Sequence, residues 1–359
     1  MKTKLRLLAF VLGLACFVPA LARADEPKLE KVGATYTWAQ VASWLSQDRV
    51  AVGRWDGTIT VFRPPQADKM EWGPMLTQAL KSPSGQGLQM MGRLAKGAFV
   101  TSNDNSSLAV WALKDGQYAL EGTPKYDAKF GVANCAELVR AQGKQWLVTG
   151  HEQGYLLLWE VNGCDLKLAK DINIRSSSPI PSTNPLWNVR GVVRHKGGTV
   201  VTGGEDGDIC LVSIPDGKVL SRMRYNPKAE RGINGLAVSG DYLLLCNCSV
   251  GPDDKNLWLY EIRNDRVVLL DSTNLIQDTK RKQVFNFSVL FVPAGKETLF
   301  FAGTEEGLLW RGQLAGGKLA AKGNEKLECE GGAALTFEPE TSQLVAVAHV
   351  VYLYKLSRK

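Results

Sequence analysis

Three histidines are all that 359 residues offer for imidazole chemistry. Two of them, His151 and His349, take matching places in a recurring pattern, beside Glu152 and in register with Glu305. These residue types can hold zinc. However, the histidines lie in different repeats, and His151-Glu152 lacks the second His four residues after the first that a zinc-protease helix needs. Asp253-Asp254, in GPDDKN, reads as a solvated turn rather than a calcium loop. The chain has no G-x-S-x-G, S-x-x-K, H-E-x-x-H, Walker loop or G-x-G-x-x-G. No catalytic residue, metal or cofactor is therefore assigned. Catalysis stays open, because a ring-shaped enzyme gathers its residues from several repeats and leaves no linear motif.

These residues sit in a repeat that organises the chain. An apolar strand ends on a small residue, a polar turn follows, and a second apolar strand ends near an aromatic. The copies are RVAVGRWDGTITVF, AFVTSNDNSSLAVW, WLVTGHEQGYLLLW, TVVTGGEDGDICLV, YLLLCNCSVGPDDKNLWLY, LFFAGTEEGLLWRG and LVAVAHVVYLY. Phe62, Trp111, Trp159, Val212, Tyr260, Gly312 and Tyr354 align in the second strand. The small column includes Gly53, Ser102, Gly150, Gly203, Gly303 and Ala348. A further strand precedes each of six pairs: 88–94, 136–141, 191–195, 235–239, 289–292 and 334–338. Asp56-Gly57 and Asp206-Gly207 are hairpin turns, both residues of each pair favouring positive φ. The stretch 74–80 is preferred as an outer strand over a helical turn. The expected fold is all-β: a seven-bladed β-propeller of four-stranded antiparallel blades. No outer strand follows residues 350–356, so 32–38 (VGATYTW) is expected to pair there and close the ring, removing sheet edges.

The repeats resemble the WD-repeat propeller family in degenerate form, over roughly residues 30–356. That family often carries Gly-His before the first strand and Asp after the Trp. Here the latter positions hold Arg63, Ala112, Glu160, Ser213, Glu261, Gln313 and Lys355, and the turn Asp survives as Asp56 and Asp206 only. The family's buried Asp–His–Ser–Trp network is thus not expected intact, which leaves apolar stacking to hold the blades.

Residues 1–24 read as a cleaved signal peptide: a basic start, an apolar run from Leu7 to Val18, and Ala22-Arg23-Ala24 before Asp25. The run is too short for a stable membrane span. Residues 25–359 form the single propeller domain, exported to a periplasm or secreted. Cleavage removes Lys2, Lys4, Arg6 and Arg23, leaving 39 basic against 36 acidic residues and a net charge of about +3. So balanced a chain offers little field for nucleic acid or anionic lipid. No nucleic-acid partner and no stable membrane insertion of the mature chain are expected. The six remaining cysteines are read mainly as buried thiols.

Function then falls to the turns that rim the ring. The residue after each small position is Arg54, Asn103, His151, Gly204, Thr304 or His349, with Asn247 near the fifth slot. With Trp55, Glu152 and Glu305 these make a polar, varied face; Arg54, Trp55, Asn103, His151, Glu152, Thr304, Glu305 and His349 are the candidate binding residues. Trp55 is the sharpest, as an aromatic anchor on a turn. The expected role is a non-catalytic protein-interaction scaffold with a protein partner. The competing roles are a propeller enzyme, metal-dependent lactonase- or hydrolase-like, with Asn134, Asn188, His151 and His349 at the channel mouth, or a small-ligand or glycan binder on that face.

Overall fold

In the computed structural model the described residues are 28–36, 39–64, 76–94, 97–180, 187–229, 231–247, 255–277, 284, 286–327, 334–347 and 350–357. Residues 1–24, His349, Cys248, Cys329 and Asp253-Asp254 lie outside them.

Strand pairing follows from burial. In blade 3 the second strand, Lys144–His151, is buried from Trp146 onward, and the third, Tyr155–Asn162, from Leu156 to Trp159. Such unbroken apolar runs mark strands covered on both faces. Alternate side chains serve alternate neighbours. Leu147, Leu157 and Trp159 pack on Val100 and Val110 of blade 2, whereas Val148, Leu156 and Leu158 pack on Val200 and Val212 of blade 4. Each such Leu or Val contributes about 1.5–3 kcal/mol when fully buried. The outer strand, Asp165–Asn173, reverts to a mostly exposed pattern.

Seven four-stranded antiparallel sheets repeat this plan. Their inner strands are Ala39–Ser46, Met91–Arg93, Ala133–Ala141, Val189–Arg194, Ile233–Ser239, Asn286–Ala294 and Ala334–Glu338. Each overlaps the strand expected ahead of its repeat, and blade 1 supplies its own. Leu76–Lys81 is an outer strand, as preferred over a helical turn. Two 3-10 turns, Ala128–Phe130 and Lys196–Gly198, are the helical elements among the described residues.

The two aligned columns have physical causes. A Cβ on Gly150 would stand 2.6 Å from Cys135 Sγ and from Val189 Cγ1. One on Gly53 would stand 2.7 Å from Val41 Cγ2. Inner strands crowd the small column, so only small residues fit. The aromatic column marks a bulge: pairing with the outer strand shifts register between Val61 and Phe62, Val110 and Trp111, Leu158 and Trp159, Leu211 and Val212, Leu259 and Tyr260, and Arg311 and Gly312. Gly312 breaks the aromatic pattern because Phe300, its partner on the adjacent strand, occupies the space its side chain would take.

The ring closes as expected. Lys28–Tyr36 pairs antiparallel with Val350–Ser357, from Lys28 opposite Ser357 to Tyr36 opposite Val350, with a bulge between Lys31 and Gly33. It is the outer strand of blade 7. One turn expectation needs correcting. Positive φ belongs to Gly57 (77°) and Gly207 (79°) and not to Asp56 or Asp206. The aspartates instead accept backbone hydrogen bonds: Thr58 N donates to Asp56 Oδ1 at 2.9 Å, and Asp208 N to Asp206 Oδ1 at 3.3 Å. These are Asx-type turns closed by a left-handed glycine.

Candidate functional site at the channel mouth

The turns between second and third strands gather at one end of the ring, where the candidate residues divide by burial. Asn103 is buried and acts as a clip: its Oδ1 accepts from Ser82 Oγ (2.9 Å) and Ser84 N (2.8 Å), and its Nδ2 donates to Ser107 Oγ (2.8 Å). Thr304 is buried. His151 is fully buried, with Nε2 2.8 Å from Thr149 Oγ1 and Nδ1 3.1 Å from Gly131 O. Trp159 Nε1 donates to Thr149 Oγ1 at 3.0 Å. The Thr149 hydroxyl proton is thereby free to go to Nε2, so the consistent tautomer carries its proton on Nδ1, facing the Gly131 carbonyl. Burial pushes the His151 pKa down to about 4, against the hydrogen bond to Gly131. Both ring nitrogens are committed, and the imidazole is neutral near pH 7.

This chain of groups is a shortened form of the network whose loss the sequence suggested. Its histidine, which follows Gly150, comes from the end of the second strand instead of from a Gly-His pair ahead of the first. Blade 2 keeps the Trp–Thr portion, with Trp111 Nε1 donating to Thr101 Oγ1 at 3.2 Å, and blade 5 substitutes Asn247 Oδ1 as acceptor for Trp258 Nε1 at 2.8 Å. Stacking therefore does not act alone.

Four candidates reach the surface. Trp55 is 65% exposed, the largest exposure among the exposed large apolar residues. Its turn is fixed: Arg54 O accepts from Gly57 N and from Leu88 N, both at 3.1 Å. The Thr58 amide holds the Asp56 carboxyl below its usual range. Arg54 is half-buried, its Nε 4.0 Å from Asp56 Oδ1. Glu152 is half-buried and accepts from Val132 N at 3.0 Å. Glu305 is half-buried on its turn.

The channel itself is lined one strand further in. Five inner strands shift register at the same place, between Ala39 and Val41, Ala133 and Cys135, Val189 and Gly191, Ile233 and Gly235, and Asn286 and Ser288. The residues just before the shifts pair with Arg54, His151, Gly204, Asn247 and Thr304, the ring read from the sequence. The bulged residues are Gln40, Asn134, Arg190, Asn234 and Phe287. Bulges re-aim side chains at barrel rims. Phe287 is 43% exposed, and Arg190 is exposed with Nε donating to Glu205 Oε1 at 2.8 Å. Gln40 Oε1, Asn134 Nδ2 and Glu205 Oε2 are buried atoms that no group among the described residues satisfies. Of these, the sequence flagged Asn134. The signal for the rest was a recurring larger residue before a small one: AQV, ANC, VRG, ING and NFS.

Among the described residues no group of three His, Cys, Asp or Glu side chains could hold a metal, and no helix is long and apolar enough to cross a membrane. Cys135, Cys164 and Cys210 are free thiols, and burial pushes Cys135 and Cys210 up to about 12.

No protein-family model matches the sequence, and no curated protein matches it. Among solved structures, the chain is similar to the β-propeller domain of Myceliophteria thermophila Cps50 (Swd1), at 12% identity and a TM-score of 0.66, over 92% of this chain and 100% of that one. The arrangement of seven four-stranded blades agrees, and the fold is that of a WD-repeat-like β-propeller.

Proposed function

We propose that the chain is an exported, non-catalytic protein-interaction module that docks its partner at the channel mouth. The observation that carries this reading is the set of five matched bulges, which place Gln40, Asn134, Arg190, Asn234 and Phe287 at the same level of the inner strands, beside the turns of the mouth. They mix amide, guanidinium and aromatic groups, the chemistry of a protein interface more than of a single reaction. Trp55 stands outside them as an anchor on a rigid turn, losing little entropy on docking. The neutral, fully bonded His151 supports a scaffold role for the most conspicuous candidate acid–base group. The leader reading supports export, with residues 25–359 as the working domain in a periplasm or outside the cell.

The test is native mass spectrometry of the chain recovered gently from its own compartment, with Trp55→Ala, Arg190→Ala and Phe287→Ala combined in a second sample. A stoichiometric protein partner on the wild type, lost in the triple variant at unchanged Tm, is expected. Capture unaffected by the triple variant would overturn this docking face. A mature mass beginning at Asp25 is the expected result for export, and an uncleaved amino terminus would refute it.

A further inference from the structure

The opposite end of the ring, where first strands turn into second and third into outer, carries a different surface. Across the inner-strand ends of blades 3, 4 and 5 lies a 440 Å³ depression lined by Arg140 of blade 3 and by Arg194 and Lys196 of blade 4, with Val139 and Val238 of blades 3 and 5 as apolar wall. Its floor includes Gly197 and Gly240, where an added Cβ would meet nothing within 4 Å, so backbone is open to an incoming chain. Arg140 and Arg194 are exposed, and neither has an ion-pair partner among the described residues. Lys196 is held by Asp241 at 2.6 Å, which also meets His195 Nε2 at 3.1 Å. The remaining acid near Arg194 is Glu137, half-buried on the channel wall. Two exposed arginines without ion-pair partners among the described residues thus border one depression, and guanidinium is suited to carboxylate.

The groove continues outward. A 360 Å³ depression shares Arg140 and runs along Gly143 to Gln145, and an 820 Å³ depression shares Gly143 to Gln145 and reaches Glu160, Asp165 and Lys167 near the outer strand. Neighbouring strands lie about 4.8 Å apart, so the track across one blade is about 14 Å. An extended peptide covers that in about four residues. The charge changes along the track: cations without ion-pair partners at the inner end, then Lys144 bridged to Glu160 at 2.6 Å, with Asp165 and Lys167 beyond, a balanced outer end. A segment that is acidic at one end and neutral after it matches this order of charges.

We infer that this track, from the inner-strand ends of blades 3, 4 and 5 outward along blade 3, is a second docking site, for an extended partner segment whose acidic end seats in the depression that Arg140 and Arg194 border. It is independent of the channel-mouth reading, since it uses the other face.

Fluorescence polarisation tests it on the full chain, with a labelled pentapeptide of two glutamates followed by three neutral residues. Saturable binding is expected, weakening with salt as exposed charges are screened. Arg140→Gln with Arg194→Gln should weaken it by about tenfold or more, and Trp55→Ala should leave it unchanged. Both arginines are surface residues, and an unaltered Tm for the double variant confirms that the ring is intact. The inference is overturned if the double variant binds as well as the wild type or if no saturable binding occurs. It is also overturned if inorganic phosphate competes as strongly as the peptide, a bare anion site, or if a single-stranded oligonucleotide of equal charge binds more tightly.

Discussion

Trp159 Nε1 donates to Thr149 Oγ1 at 3.0 Å inside blade 3, and Trp111 repeats the bond to Thr101 at 3.2 Å in blade 2. The two blades differ in what lies beyond the hydroxyl. In blade 3 it is His151; in blade 2 the chain stops. Thr149→Val strands a buried indole donor and an imidazole nitrogen together, so it should cost about 2–3 kcal/mol in urea unfolding. Thr101→Val strands one donor and should cost about 1–2 kcal/mol. Equal losses would show that His151 adds nothing to the network.

Buried His151 and half-buried Glu137 give stability opposite pH dependences. His151 has a folded pKa of about 4 against an ordinary 6.5. The unfolded chain takes up the proton first, so this contribution is intact above pH 6.5 and is lost as pH falls toward 4. His151→Gln removes the titration and should narrow the wild-type advantage by about 3 kcal/mol across that window. Glu137 is pushed up to about 7 by burial, against the pull of Arg194. Its folded state holds the proton longer, so its contribution is present below about 4.5 and lost as pH rises through 7. Glu137→Gln should therefore gain on wild type by about 1–3 kcal/mol between acid and mildly alkaline pH. Parallel stability–pH curves for either variant and wild type would contradict the assignment.

The small column can be tested by adding one methyl group. Gly150→Ala forces a carbon to within 2.6 Å of Cys135 Sγ and Val189 Cγ1, and should cost about 1–3 kcal/mol. Gly122→Ala, where nothing lies within 4 Å and φ is ordinary, is the control and should change stability by less than about 0.5 kcal/mol.

Removal of residues 28–36 leaves Val350–Ser357 with an unpaired edge. The truncated chain should lose its single cooperative thermal transition and associate with rising concentration. An unchanged transition, followed by calorimetry and light scattering, would show that closure by this strand is dispensable.

The architecture was legible because each blade repeats a local constraint. Gly150 and Gly53 are small where an inner strand crowds them, and Trp159 and Phe62 follow the same bulge, so alignment alone found both columns. Ring closure was legible because residues 350–357 end the repeats without an outer strand. The candidate site was less so. Sequence places His151 and Asn103 on a polar turn, but it does not say that Gly131 O and Ser82 turn both side chains inward. Loop-to-blade hydrogen bonds of this kind span about twenty residues and have no period. The bulged ring escaped notice because a one-residue register shift changes which way Arg190 and Phe287 point without changing strand composition. The groove at Arg140 and Arg194 joins three blades, and no single repeat contains it.

The pairing of Lys28–Tyr36 with Val350–Ser357 also orders events in time. Synthesis delivers the closing strand before any blade and its partner after six blades have been made. Those six are meanders of neighbouring strands and can form as they emerge. The seventh requires a loop spanning nearly the whole chain, whose closure entropy grows only as the logarithm of length. Completion thus waits on the delivery of Val350–Ser357. A chain interrupted before Val350 holds six formed blades and an orphan first strand, an open arc whose exposed edges mark it as unfinished.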